Sequence, residues 1–96
     1  MIVDLISYRV QSGKESEFEA QQQEWQQVMR GARGFIGQIL MRSLDDPAQY
    51  HAEVRWASRE YHERFGSGEN AEGRRLAQKL TSVLESPPAH RLLEYV

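Results

Sequence analysis

The sequence predicts an α+β fold, a ferredoxin-like split βαβ with a four-stranded antiparallel sheet. Three observations predict it. Strand and helix periods alternate in the order strand, helix, strand, strand, helix pair, strand. A "DDP" turn joins the two middle strands as a hairpin. No repeat or low-complexity linker divides the 96 residues, so residues 1–96 are read as a single domain.

Ile2 to Val10 is rich in β-branched residues and bounded by "QSGK", the mark of a strand. Ser12 and Glu15 have capping-box spacing, which predicts a helix from about Lys14 to Arg30. Its apolar stripe is Phe18, Trp25, Val28 and Met29, completed by Gln21 or Gln22; the rest of the Gln run faces water. Gly31 suits a C-cap and Gly34 a turn. Phe35 to Leu44 and Tyr50 to Ala57 read as the hairpin strands. Alternation puts Tyr50, Ala52, Val54 and Trp56 on one face and His51, Glu53 and Arg55 on the other. Ser58 is an N-cap for a short helix, Arg59 to Phe65, which "GSGEN" interrupts. A further helix, about Ala71 to Leu84, carries Leu76, Ala77, Leu80, Val83 and Leu84 as its stripe and ends at "SPP". His90 to Val96 is the last strand.

Helices on one sheet face leave the other uncovered. A chain this short buries only about 60–65% of its unfolded surface. Two copies packed sheet to sheet would hide the open face, so a homodimer is expected. Hydrophobic residues make up 40% and charged residues 27%, with net charge −2. No basic stripe points to nucleic acid. There is no cysteine, which excludes disulfides, iron–sulfur clusters and thiolate chemistry. No apolar run approaches the roughly 20 residues of a membrane span. "MIVDLISYRV" lacks a positive n-region and a cleavage site, so a cytoplasmic location is expected.

Three stretches, "YRVQSGKESEFEAQQQEW", "GARGFIGQILMRSLDDPAQY" and "RWASREYHERF", resemble the antibiotic biosynthesis monooxygenase (ABM) family across nearly the whole chain. The resemblance rests on the Gly-Lys helix entry, the "GF" opening strand two, the "DDP" turn and the "W-x-S" closing strand three. It implies a dimeric α/β barrel with one pocket per subunit between sheet and helices. Family members include cofactor-free quinone-forming monooxygenases, haem-degrading enzymes and an autoinducer-processing enzyme. The haem-degrading pattern of a Trp and a following His falls on Phe65 and Arg75, and its strand-one Asn falls near Ile6 or Ser7, so haem degradation is disfavoured. In the quinone-forming pattern Trp56 matches the strand-three Trp and Arg75 matches the Arg with one residue of gap. The Asn position holds Ala52, and the Tyr position holds His62, with Tyr61 adjacent. The autoinducer-processing pattern matches no residue.

The resemblance therefore implies a monooxygenase-like protein with no cofactor and dioxygen as co-substrate, acting on a small electron-rich aromatic of quinol or anthrone type. Such a substrate must lose a proton before its anion can pass an electron to dioxygen, in a slot that limits water. The expected catalytic residues are Trp56, whose indole N–H can donate to a bound oxygen, His62 as proton shuttle and Arg75 as a fixed cation. The expected substrate pocket is Phe18, Trp25, Val54 and Phe65, although aromatics at these spacings also serve as core. His51 reads as surface or subunit interface, and His90 as structural or exposed. Arg42 could reach a pocket mouth or the dimer seam. Asp45/Asp46 and Glu15/Glu17 are explained by a turn and a helix start, and His51, His62 and Glu63 have no metal spacing. A non-catalytic binding module and a haem-handling protein remain as other classes.

Overall fold

The computed structural model describes residues 1–67 and 71–96; residues 68–70 of the expected "GSGEN" break lie outside them. The elements are β1 (Ile2–Arg9), α1 (Glu15–Arg30), β2 (Phe35–Arg42), β3 (Gln49–Trp56), α2 (Arg59–Gly66), α3 (Ala71–Thr81) and β4 (Ala89–Glu94). The four strands are antiparallel in the order β2-β3-β1-β4, which is the ferredoxin-like arrangement.

Strand alternation sorts the side chains. Ile2, Asp4, Ile6 and Tyr8 of β1 and Tyr50, Ala52, Val54 and Trp56 of β3 are buried beneath the helices. The opposite face carries Leu5, Ser7, His51, Glu53 and Arg55, none of them fully buried. There His51 Nδ1 lies 3.1 Å from Ser7 Oγ on the neighbouring strand, so His51 faces away from Trp56 as alternation requires. Ile39, Met41 and Leu93 are exposed.

Several element ends differ from expectation. The capping box does not form: Lys14 is the N-cap of α1 and no side chain caps it. A turn that brings Lys14 N to Gln11 O, 3.0 Å apart, sets the helix start instead. The Ser58 cap does form, with Tyr61 N–H donating to Ser58 Oγ. β2 stops at Arg42 because Ser43 Oγ accepts from the N–H groups of Asp45 and Asp46 and starts the turn early. α3 ends at Thr81, not Leu84, because Leu84 leaves the helix to bridge Val10. β4 ends at Glu94, short of Val96.

Within the core, Phe18 stands between Tyr8 and Tyr50, with ring centroids 5.0 and 4.7 Å away. It plugs one end of the space under α1 and leaves the other end to a cavity.

Gly34 joins α1 to β2 with φ +87°, and a Cβ there would collide with the Tyr61 ring of α2. Backbone and packing both require glycine at this point. Gly34→Ala is expected to cost about 2–4 kcal/mol of stability, from the left-handed backbone and the clash together. Urea unfolding followed by circular dichroism measures it.

Candidate active site

A cavity of about 350 Å³ opens between the sheet and the helices. That is a common size for a small-molecule site. Its apolar walls are Trp25 and Met29 of α1, Val54 and Trp56 of β3, Phe65 of α2 and Leu80 of α3. Trp56 is the hub of this wall. Its ring centroid lies 5.2 Å from Phe65, 5.6 Å from Phe35 and 6.1 Å from His62, and Phe65 in turn meets Trp25 at 6.3 Å. α2 supplies His62 and Phe65 from one inward face because Ser58 fixes where its first turn begins.

The polar centre of the cavity is Asp4. Its side chain is only 8% exposed, yet two imidazoles reach it. His62 Nε2 lies 3.1 Å from Oδ2. His90 Nδ1 lies 3.1 Å from both carboxylate oxygens. Burial works to raise the Asp4 pKa, but the hydrogen bonds from His90 and His62 outweigh it and hold the group below 3.8. The hydrogen bond to Asp4 raises His90 above 6.5, against the opposing effect of burial. An ionised carboxylate can only accept, so both rings donate to it, and this assigns the protons to Nε2 of His62 and Nδ1 of His90. The other ring nitrogen of His62, Nδ1, is buried and has no partner.

Other polar atoms on the cavity-lining residues are also unsatisfied. Gln38 Nε2 donates to Gln22 Oε1 at 3.1 Å, leaving Gln22 Nε2 and Gln38 Oε1 without partners. Trp25 Nε1 lacks one too. Buried polar atoms are ordinarily paired, so these are suited to a polar ligand. Burial, then the charge of Asp4, raises the Tyr8 pKa strongly, and Tyr8 remains a neutral phenol. Among the described residues no cluster of three or more His, Cys, Asp or Glu is arranged to hold a metal ion.

Of the residues expected from sequence, Trp25, Val54, Trp56, His62 and Phe65 meet at this cavity. Phe18 does not: it is fully buried in the core, beyond the cavity end. Arg75 does not either. Its guanidinium lies on the outer surface, 3.0 Å from Glu72 and 3.4 Å from Glu24, because its position on α3 points away from the sheet. Arg42 pairs with Glu19 at 3.7 Å, also outside the cavity. His90, expected to be merely structural or exposed, lines the cavity. Asp4 was not expected at all. Its signal was an acid at an inward position of the apolar strand "IVDLISY".

A family model for antibiotic biosynthesis monooxygenase matches residues 1–73. The chain belongs to the antibiotic biosynthesis monooxygenase family. A crystal structure from Bordetella bronchiseptica, assigned as an antibiotic biosynthesis monooxygenase, is 26% identical at TM-score 0.86, covering 99% of this chain and 96% of that one. SnoaB, a cofactor-independent oxygenase from Streptomyces nogalater, superimposes at TM-score 0.87 with 19% identity, over 98% of this chain and 91% of SnoaB. A Nitrosomonas europaea structure with the same assignment as the Bordetella one superimposes at 0.86 with 14% identity, over 100% and 99%. At the lower identities the likeness is one of fold. No curated protein matches the sequence. No helix among the described residues is long and apolar enough to cross a membrane.

The Asp4–His90 pair makes stability depend on pH. The lowered Asp4 pKa contributes stability that is complete above 3.8 and is lost as pH falls through the folded value. The raised His90 pKa contributes stability that is complete below 6.5 and is lost as pH rises through its folded value. Both contributions are present between those two values. His90→Gln should therefore lose most stability relative to wild type near about pH 5, and the gap should close by about pH 9. The half-exposed ring is partly screened, so the gap is modest. Urea unfolding at the two pH values reads it.

Proposed function

We propose that this protein is a cofactor-independent oxygenase that oxidises a small electron-rich aromatic, of quinol or anthrone type, with dioxygen. One observation carries the reading: an aromatic-walled cavity lined by a part-buried imidazole whose second nitrogen is tied to an ionised carboxylate. The walls would hold a flat ring and keep water out. His62 Nδ1 would take the hydroxyl proton of the substrate or of its enol form, as Asp4 holds the tautomer that leaves this nitrogen free to accept. The aryloxide would then give one electron to dioxygen. Recombination at carbon would form a C–O bond. Cleavage of the O–O bond would leave one oxygen as a new carbonyl and release the other as water. For a ring CH2 the balance is CH2 + O2 → C=O + H2O. The Trp56 indole N–H and the unpaired amide of Gln22 are the candidate donors to oxygen atoms that gain charge. Membership of the family and the fold shared with SnoaB support this reading.

Ala52, fully buried where quinone-forming relatives place an Asn, favours a second reading, a binding module that kept the cavity and lost the chemistry. We also propose a homodimer through the open sheet faces, supported by the exposed Ile39, Met41 and Leu93. Sedimentation should return twice the 11.2 kDa chain mass.

The deciding experiment is oxygen uptake by the chelator-treated protein with anthrones, naphthols and hydroquinones. Uptake that needs no flavin or metal supports the oxygenase. Trp56→Phe should then lower kcat by roughly 10- to 100-fold with the dimer intact. Ligand binding seen by Trp fluorescence quenching without any uptake would leave the binding module.

A further inference from the structure

We propose that Asp4 and His90 extend His62 into a proton relay that connects the cavity to solvent. For its use the relay rests on the oxygenase reading, in which His62 meets an acidic substrate, but the geometry that carries it is independent. The three groups form one unbroken chain of 3.1 Å contacts, from His62 Nε2 through the Asp4 carboxylate to His90 Nδ1. Exposure rises towards one end of it: the His62 side chain is 24% exposed and that of His90 53%, with Asp4 at 8% between them. One end thus belongs to a cavity-lining residue whose Nδ1 is buried and unpartnered, and the other lies at the surface of an edge strand.

Charge neutralisation alone does not explain the arrangement. One imidazolium is enough to offset one buried carboxylate, and His90 already contacts both oxygens. The second imidazole makes a path. The strand register builds it. β4 places Leu92 opposite Asp4 and His90 opposite Ile6, so His90 reaches Asp4 along the diagonal of the inward face. Pro88, which lines the cavity, leads into that strand. Among the described residues, the ionisable ones lining the cavity are Asp4, His62, His90 and Tyr8. The side chains that α1 and α3 bring to it, among them Gln22, Trp25, Ala77 and Leu80, are uncharged. Tyr8, held neutral by burial, does not compete for the proton.

The step balances without a redox partner. The substrate O–H bond breaks and an N–H bond forms at His62 Nδ1. Asp4 accepts from His62 Nε2–H and His90 Nδ1–H throughout, so His62 becomes the imidazolium that offsets it, while the His90 imidazolium gives its Nε2 proton to water. The cavity then holds an aryloxide, the protein charge is unchanged and one hydronium is in solvent. The path is retraced when a peroxide oxygen later takes the proton back from Nδ1. His90 lies beyond residues 1–73, the part the family model covers.

The test is anaerobic stopped-flow mixing of the chelator-treated protein with 1-naphthol and a pH-indicator dye. Naphtholate absorbance reports the cavity proton, and the dye reports its arrival in bulk. In the wild type the two signals should rise together. In His90→Gln and His90→Asn the dye signal should lag the naphtholate signal by roughly tenfold or more, and added imidazole should restore it. Asp4→Asn should abolish both. Dye release at the wild-type rate in both His90 variants overturns the relay. So does a wild type that forms no naphtholate, or forms it only with an added divalent metal. Oxygen is absent throughout. A relay that passes this test in a protein that takes up no oxygen would sink the oxygenase reading and leave the relay standing.

Discussion

A carboxylate buried beneath three helices in an apolar cavity is costly unless its charge is met at close range, and removing a single partner from such a group is strongly destabilising. Asp4 is in that position, and its partners come from remote parts of the chain. His62 is 58 residues away on α2 and His90 is 86 residues away on β4. Meeting this one charge therefore ties the central strand, the short helix and the last edge strand together. β4 otherwise has every residue exposed, so its attachment rests on the backbone ladder to β1 and on this contact.

The space under the helices is divided by size and polarity. At one end Phe18, Tyr8 and Tyr50 pack into a closed core. At the other the rings of Trp25, Trp56 and Phe65 pack against one another as a wall of the cavity. Trp56 belongs to both descriptions. It is buried from solvent and still forms a cavity wall. Its edge contact with His62 sets the imidazole against the aromatic wall, while Asp4 holds the far side of the same ring. The imidazole and the aromatic wall are in this way fixed relative to each other by packing and not by a flexible loop.

The apolar character of the walls and the few unsatisfied polar atoms are two sides of one constraint. Gln22 and Gln38 satisfy each other only in part, and Trp25 keeps an unused donor. In a closed core such atoms would be a defect. The open sheet face has a different composition: Ile39 and Met41 stand near His51, Glu53 and Arg55, a mixture suited to an interface.

The sequence by itself determined the order of elements, because strand and helix periods and the turn residues act locally. "DDP" marked the hairpin, and alternation in "YHAEVRW" sorted its inward and outward side chains correctly. Strand alternation and helix spacing placed Val54, Trp56 and Trp25 inward, the family resemblance pointed to Trp56 and His62, and these residues together with Phe65 line the cavity. The local rules failed where the answer depended on which helix face turned inward, as for Arg75, or on how far along α1 the cavity reached, as for Phe18. They also failed at helix ends, where Leu84 left α3 to pair with Val10. Only the tertiary structure decided that Asp4 and His90 belong to the site. Their contact is made by the β1–β4 register, and a pairing between the first strand and the last leaves no periodic trace in either.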